Sequence, residues 1–306
     1  MQGIRFSAGP DGSSMAQCVD RPRPQPGPGQ LLVRVELAGV GIGTVRMLRA
    51  DPVADPGGEM VGTVVAVGDD TDSEWLGRRI GGVVFESVYD DHVCAAPALV
   101  TAIPEGVGSA EALAVVRGGL VASGALHAAG SVAGKSVLIT GAASGCGHLA
   151  LQLARAAGAA RVTAAVGSAD KAGFVRDCGA DDVVTYDEQW PPAVDVVLDG
   201  VGGKLVQRGV DQLAPYGVLV AFSAAGGAVD AATLLGECKT VTAFSVALPS
   251  RTRPELVRQW REQMWKLLRE KALRPRVRIA ERAGLAGVIA EIAARRTLGR
   301  MAITTR

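Results

Sequence analysis

Two rhythms of apolar residues divide this chain of 306 residues. Up to Ser109 the apolar positions fall in short alternating runs closed by glycine and proline, as in LLVRVEL (31–37) and VGTVVAV (61–67), with further runs over 79–84 and 92–95. A period of two between turn residues is the mark of β-strands, so this part is predicted to be mostly β. From Ser109 the pattern changes to an alanine-rich helix over 110–128. Beyond it, strands over 136–140, 161–166, 182–185, 195–199 and 218–222 alternate with helices over 146–157, 170–178 and 204–213. These strands are apolar on both faces, which a sheet tolerates only when helices cover both sides. The prediction is a parallel, doubly wound α/β sheet. A last strand over 240–246 is placed at its edge. The stretch RPELVRQWREQMWKLLREKAL then puts Leu256, Trp260, Met264 and Leu267 on one helical face with charges opposite, a packing helix. RPRPQPGPGQ (21–30) reads as a rigid connector between two strands, in preference to a polyproline ligand for a recognition domain.

Composition narrows the function classes. Lysine plus arginine (32) nearly cancels aspartate plus glutamate (31), and there is no dense basic run, so the electrostatic footprint of a nucleic-acid binder is missing. MQGIRFSAGP carries charge and glycine where a secretion signal has a continuous apolar core, and no run approaches the ~18 apolar residues of a membrane span. A cytoplasmic protein with no membrane partner is expected. The five cysteines, at 18, 94, 146, 178 and 238, stand singly, which fits reduced thiols. His92, His127 and His148 are far apart, with no HExxH and no cysteine at a zinc-like spacing, so no metal site is expected.

The chemistry concentrates in LITGAASGCGHLALQLARAAGA (138–159), where a buried strand breaks into small residues before a helical rhythm resumes. Small residues at that break let the backbone approach a diphosphate, and the following helix offers unpaired N–H groups and its positive dipole end. As G-x-G-x-x-G the match is partial, with the slots on Ala142, Ser144 and Gly147. Context strengthens it: the next strand ends at VGSADK and later ones at LDGVGG and VAFSAAGG, all at the carboxyl edge where such sheets bind ligands. An acid at the end of the second strand would select a free ribose hydroxyl. Gly167, Ser168 and Lys171 stand there instead, so NADPH is favoured over NADH.

With these residues in place, the chain resembles the medium-chain dehydrogenase/reductase superfamily, in its zinc-free quinone oxidoreductase and enoyl reductase branch. The resemblance runs through RPRPQPGPGQLLVRVELAGVG, GGEMVGTVVAVGDD, LGRRIGGVVF, GKSVLITGAASGCGHLALQLARAAGA, GSADKAGFVRDCGADDVVTYD, VDVVLDGVGG and the closing LGRMAITTR, in order along nearly the whole chain. It implies a GroES-like, mostly β catalytic domain built from both chain ends (1–113 and 254–306), a Rossmann domain between them (114–253), NADPH as cofactor, and a homodimer paired through the edge strand 240–246. It places Ser144, Gly145, Cys146 and Gly147 at the diphosphate, Ser168 and Lys171 at the 2′-phosphate, Tyr186 by the adenosine, and Phe222 and Ser223 near the nicotinamide. It also sets the chain apart from the zinc alcohol dehydrogenases, because glycine or isoleucine takes the place of the ligand cysteine in AGVGIGT and the usual GHE is Gly57-Gly58-Glu59. Glu59 is then expected to be a structural carboxylate.

Hydride transfer from nicotinamide to the β-carbon of an enone, quinone or enoyl thioester is the chemistry this resemblance implies, with the enolate oxygen held by hydrogen-bond donors. The family's usual asparagine is Gly41 here, and the loop after it offers Thr44, Arg46 and Arg49. The candidate catalytic residues are Arg46, Ser123 and Tyr89. The stretch between Arg49 and Pro56 is shorter than the family's substrate loop. Three readings stay open: an NADPH-dependent alkene reductase, the same scaffold catalysing a cyclisation or isomerisation without net reduction, and a non-catalytic NADPH-binding protein.

Overall fold

The computed structural model describes residues 1–8, 14–49, 55–223 and 225–305. They form two compact units, one from residues 1–117 and 276–306, the other from 118–275. The chain leaves the first within the helical run Ser109–Ala128.

The first unit is built on antiparallel pairing of alternating strands. Leu31–Val40, Gly58–Val67, Arg79–Val84 and Val100–Ala102 follow one another across a seven-stranded sheet, and His92–Ala95 pairs with the start of Leu31–Val40. The C-terminal strand Arg300–Thr304 adds to the other side of Leu31–Val40, with Met301 opposite Val40, and Val277–Ala280 lies parallel to it at the edge. Leu31, Val33, Val35, Met60, Ile80 and Ile303 point into one core closed by Leu285, Val288 and Ile289 of the helix Leu285–Ala293. A separate hairpin, Gln2–Ala8 with Ser14–Asp20, is tied down where Asp90 accepts the Ile4 N–H at 2.8 Å.

The second unit holds six strands, all parallel, in the spatial order Asp182–Thr185, Arg161–Val166, Ser136–Thr140, Val194–Asp199, Leu213–Ala221, Thr240–Ala243. Numbered along the chain this is 3-2-1-4-5-6, the doubly wound order of dinucleotide-binding sheets, and its switch point lies between Ser136–Thr140 and Val194–Asp199. Leu138, Ala165, Val197 and Leu219 make the sheet's share of the core, covered by Val206 and Val210 of the helix Lys204–Asp211.

The structure departs from the sequence expectations in several places. The helix Pro254–Arg269 belongs to the second unit, not the first, because Trp260 packs edge-on against His127 at 5.4 Å and Phe244 at 5.8 Å, and joins Leu120 and Val257 in one cluster. Its buried face is Val257, Trp260, Met264, Trp265 and Leu268, rotated from the expected stripe so that Leu256 and Leu267 sit at its margin. The run Ser109–Ala128 is by length and composition long and apolar enough to cross a membrane, against the reading above, but 72% of its apolar window is buried inside the protein, as befits a core helix. A π turn at Val115–Gly119 interrupts it.

Candidate dinucleotide site

The strand Ser136–Thr140 ends at Gly141, which turns the chain with φ +63°, a conformation that costs glycine nothing. Ala142 and Ala143 are buried, and the helix Gly147–Ala156 then starts directly above the strand end. Ser144 Oγ accepts the Gly147 N–H at 3.0 Å and closes the turn. A Cβ at position 147 would lie 2.1 Å from the Gly141 carbonyl oxygen and 2.8 Å from the Ala142 Cα, so only glycine lets helix and strand approach this closely. Ser144 is exposed, and Gly145 and Cys146 are half-buried, which leaves this stretch of backbone within reach of a ligand. Gly141 is the residue the sequence reading missed. It lies one position ahead of the slots assigned to the motif, and the glycine directly after an apolar strand was the available signal.

At the switch point the two strand ends are cross-linked. Thr140 Oγ1 donates to Asp199 at 2.5 Å and accepts the Gly200 N–H at 3.1 Å, while Asp199 also accepts the Gly202 N–H at 2.8 Å; both side chains are fully buried. Ser223 Oγ donates to the Val201 carbonyl at 2.9 Å, and the Phe222 ring lies over Gly200, where a Cβ would meet it at 2.7 Å. Phe222 and Ser223 are thus held at the carboxyl edge by the neighbouring strand's loop.

Tyr186 also converges on the turn: its hydroxyl accepts the Gly141 N–H at 3.0 Å. The same ring passes Gly167 at the end of Arg161–Val166, where a Cβ would meet it at 3.6 Å. Arg208, another residue the sequence reading did not single out, stacks over Trp190 at 4.3 Å and donates to the carbonyls of Tyr186 and Glu188, which anchors that loop. Ser168 and Lys171 follow Gly167 as expected. Ser168 donates to Asp170, so a carboxylate shares this turn with the lysine.

The three candidate catalytic residues fare differently. Arg46 is exposed on the short helix Ile42–Met47 of the first unit. Tyr89 is corrected to a core residue: it is 1% exposed, its hydroxyl lies 2.9 Å from Thr44 Oγ1 and donates to the Gly39 carbonyl at 3.2 Å, and burial pushes its ionisation far above the ordinary phenol range. Ser123 is nine-tenths buried and lines a concavity of about 250 Å³ with Leu126, His127, Leu153, Trp260 and Gln263. Gly130 to Val132, which precede the first strand of the sheet, line it too, so it opens at the amino edge and away from Phe222 and Ser223. Most of the shortened stretch between Arg49 and Pro56 lies outside the described residues. Glu59 is 2% exposed and is bound by two guanidinium groups, Arg300 and Arg117, the latter at 3.4 Å, which is the arrangement of a structural carboxylate. Among the described residues no three histidine, cysteine or acidic side chains cluster as metal ligands do.

Residues 145–268 match a family described as zinc-binding dehydrogenase. Prostaglandin reductase-3 of Bos taurus is 33% identical over 224 residues, 68% of this chain and 59% of its own. Erythronolide synthase EryA2 of Saccharopolyspora erythraea is 36% identical over 205 residues, 61% of this chain and 6% of its own, so the chain spans less than two thirds of either relative. Among solved structures, mycobacterial Rv1454c complexed with NADPH superposes with a TM-score of 0.87 at 28% identity, over 99% of this chain and 100% of that one. The quinone oxidoreductase from Thermus thermophilus, also known in complex with NADPH, gives 0.85 at 27% identity, over 99% and 100%. With the 3-2-1-4-5-6 sheet, its glycine turn and the β unit built from both chain ends, these likenesses settle the family: the chain belongs to the medium-chain dehydrogenase/reductase superfamily, in the branch of the quinone oxidoreductases and enoyl reductases.

Proposed function

We propose that this chain is an NADPH-dependent reductase of activated carbon–carbon double bonds, acting on an enone, a quinone or an enoyl thioester. The observation that carries the reading is the turn from Gly141 to Gly147 at the switch point, where only glycine at 147 lets the helix N-terminus approach the strand end this closely. The residues present fit a dinucleotide: Ser144, Gly145, Cys146 and Gly147 would hold its diphosphate, Tyr186 its adenosine side, and Phe222 and Ser223 its nicotinamide side. The bound cofactor supplies the hydride. The chain would supply the rest, the dipole of the helix Gly147–Ala156 favouring the diphosphate and the Thr140–Asp199 pair fixing the loops at the switch point.

Ser168 and Lys171 take the 2′-phosphate in this reading. Asp170 in the same turn opposes an added negative charge, so the lysine carries the preference. A fluorescence titration is expected to show NADPH binding tighter than NADH, and Lys171→Ala to lose about tenfold in NADPH affinity with NADH little changed. Oxidation of NADPH on addition of enones, quinones or enoyl thioesters then tests the reaction. Absence of binding by either cofactor would sink the reading. Binding without oxidation would leave the scaffold and remove the reductase.

We also infer a homodimer. The edge strand, Thr240–Ala243 rather than 240–246, pairs among the described residues on one side only, with Leu213–Ala221, and its other edge would offer backbone groups to a second copy. Sedimentation equilibrium is expected to give twice the chain mass, and a monomer would refute it. None of the five cysteines is in a disulfide, and on that ground we infer a cytoplasmic location.

A further inference from the structure

The concavity of about 250 Å³ in the second unit takes no part in the dinucleotide site. Three helices of that unit enclose it. Ser123 and Leu126 come from Leu120–Ala128, Leu153 and Ala156 from the end of Gly147–Ala156, and Trp260 and Gln263 from the middle of Pro254–Arg269. In each pair the residues stand three apart, one above the other on a single helix face, so three faces converge on one space.

Ser123 carries the chemistry. It is nine-tenths buried, and its hydroxyl makes no hydrogen bond among the described residues. Other helical hydroxyls of this unit are satisfied by their own chain: Ser250 donates to the Val246 carbonyl at 2.7 Å and Thr252 to the Leu248 carbonyl at 3.0 Å, each four residues back. Ser123 makes no such bond. Its oxygen is not sealed off as the partnerless Nε of Arg261 is, and the concavity is its open side. A buried hydroxyl without a partner is costly, and a ligand atom that bonds to it removes that cost.

The surroundings narrow the ligand. Leu126, Leu153 and the indole of Trp260 are buried walls, whereas His127, Ser131 and Gln263 are exposed at the rim. Among the described residues no lysine, arginine, aspartate or glutamate lines the space, so a charged ligand would lose its water without gaining a counter-charge. An apolar cavity of about 150 Å³ takes one benzene, so this volume has room for two fused rings.

We propose that this concavity is a second ligand site, which binds a neutral aromatic molecule of one or two rings whose hydrogen-bonding oxygen meets the Ser123 hydroxyl. The rings lie against Trp260, Leu126 and Leu153, and Gln263 and Ser131 meet a polar group left at the rim. Leu153 and Ala156 stand in the last turns of the helix whose first residue, Gly147, closes the dinucleotide turn, about 13 Å away along the axis for Ala156. The two ligands therefore do not compete, and the site stands apart from the reductase reading.

Isothermal titration calorimetry of the full chain with 2-naphthol, naphthalene and 2-naphthoate tests this. The wild type is expected to bind 2-naphthol about tenfold more tightly than naphthalene, which has no oxygen, or 2-naphthoate, which brings a charge. Saturating NADPH is expected to leave that affinity unchanged. Ser123→Ala is expected to lose about tenfold on 2-naphthol while naphthalene binds as before. Ala156→Phe, at an exposed position of the rim, fills the space and is expected to abolish binding of both. Melting temperatures close to that of the wild type show that neither loss is unfolding. A wild type that does not bind 2-naphthol, or variants that bind it as well as the wild type, would overturn the proposal. So would displacement by NADPH, which puts the naphthol at the dinucleotide turn, and an equal loss of 2-naphthol and naphthalene in Ser123→Ala, the sign of packing alone. Naphthol binding that depends on Ser123 in a protein that binds no NADPH would keep this site and defeat the reductase reading.

Discussion

Gly147→Ala is expected to abolish cofactor binding and to destabilise the second unit by about 3 kcal/mol, at the top of the range for an overpacked site. The added methyl would stand 2.1 Å from the Gly141 carbonyl oxygen and 2.8 Å from the Ala142 Cα. Both atoms are backbone, and Gly141 is already committed to φ +63° with its N–H held by Tyr186 at 3.0 Å, so the strand end cannot yield. The helix must move away instead, taking its N-terminus and the positive end of its dipole with it. A displacement near 1 Å at a positioned group costs on the order of a hundredfold, so both cofactor affinity and turnover should fall at least that far. Thermal melting and a fluorescence titration with NADPH check the two parts. Ser144→Ala is the control for the stability measurement: it removes the capping bond to Gly147 without crowding the turn and is expected to cost about 1 kcal/mol. If Gly147→Ala melts and binds like the wild type, the close packing of the turn is not what holds the site.

Glu59→Ala is expected to cost the first unit about 3–5 kcal/mol, because it removes the single carboxylate between two guanidinium groups and leaves Arg300 buried and unpaired. For a unit of this size that is a fall in melting temperature of roughly 10 °C. Glu59→Gln keeps an acceptor but not the charge and should lie between. Calorimetry is expected to show the loss in the transition of the unit that contains Glu59, with the other little changed. Similar stability of Glu59→Ala and the wild type would mean that water, not the carboxylate, satisfies Arg300.

Much of the architecture was legible from local pattern. The runs over 79–84, 92–95, 136–140, 161–166 and 182–185 are strands over those same residues, because a buried β segment must be apolar and must end where glycine or polar residues can turn. The ends were less secure elsewhere: the strand expected over 218–222 is Leu213–Ala221, since Leu213 already pairs with Val194 ahead of an irregular stretch through Pro215 and Tyr216, after which Val218 pairs with Val196. The dinucleotide residues Ser144 to Gly147 were legible for the same reason, as they are contiguous and their spacing reflects one turn.

What failed was whatever depended on a partner distant in sequence. Tyr89 reads as an available phenol until Thr44 and Gly39 close over it, and Ser123 reads as an available hydroxyl until Leu153 and Trp260 show which concavity it lines. Helix Pro254–Arg269 carried a recognisable stripe, but only His127 and Phe244, both outside that helix, decide which unit it joins. The local elements, the glycine turn and the charge balance follow from the order of residues alone, because they are properties of contiguous segments and of composition. It took the folded chain to set the strand order 3-2-1-4-5-6, the role of Gly141 under Gly147, and the meeting of Glu59 with Arg300 from opposite ends of the chain. The reason is that hydrophobic period records how much of a residue is buried, whereas close packing and charge pairing record against what it is buried.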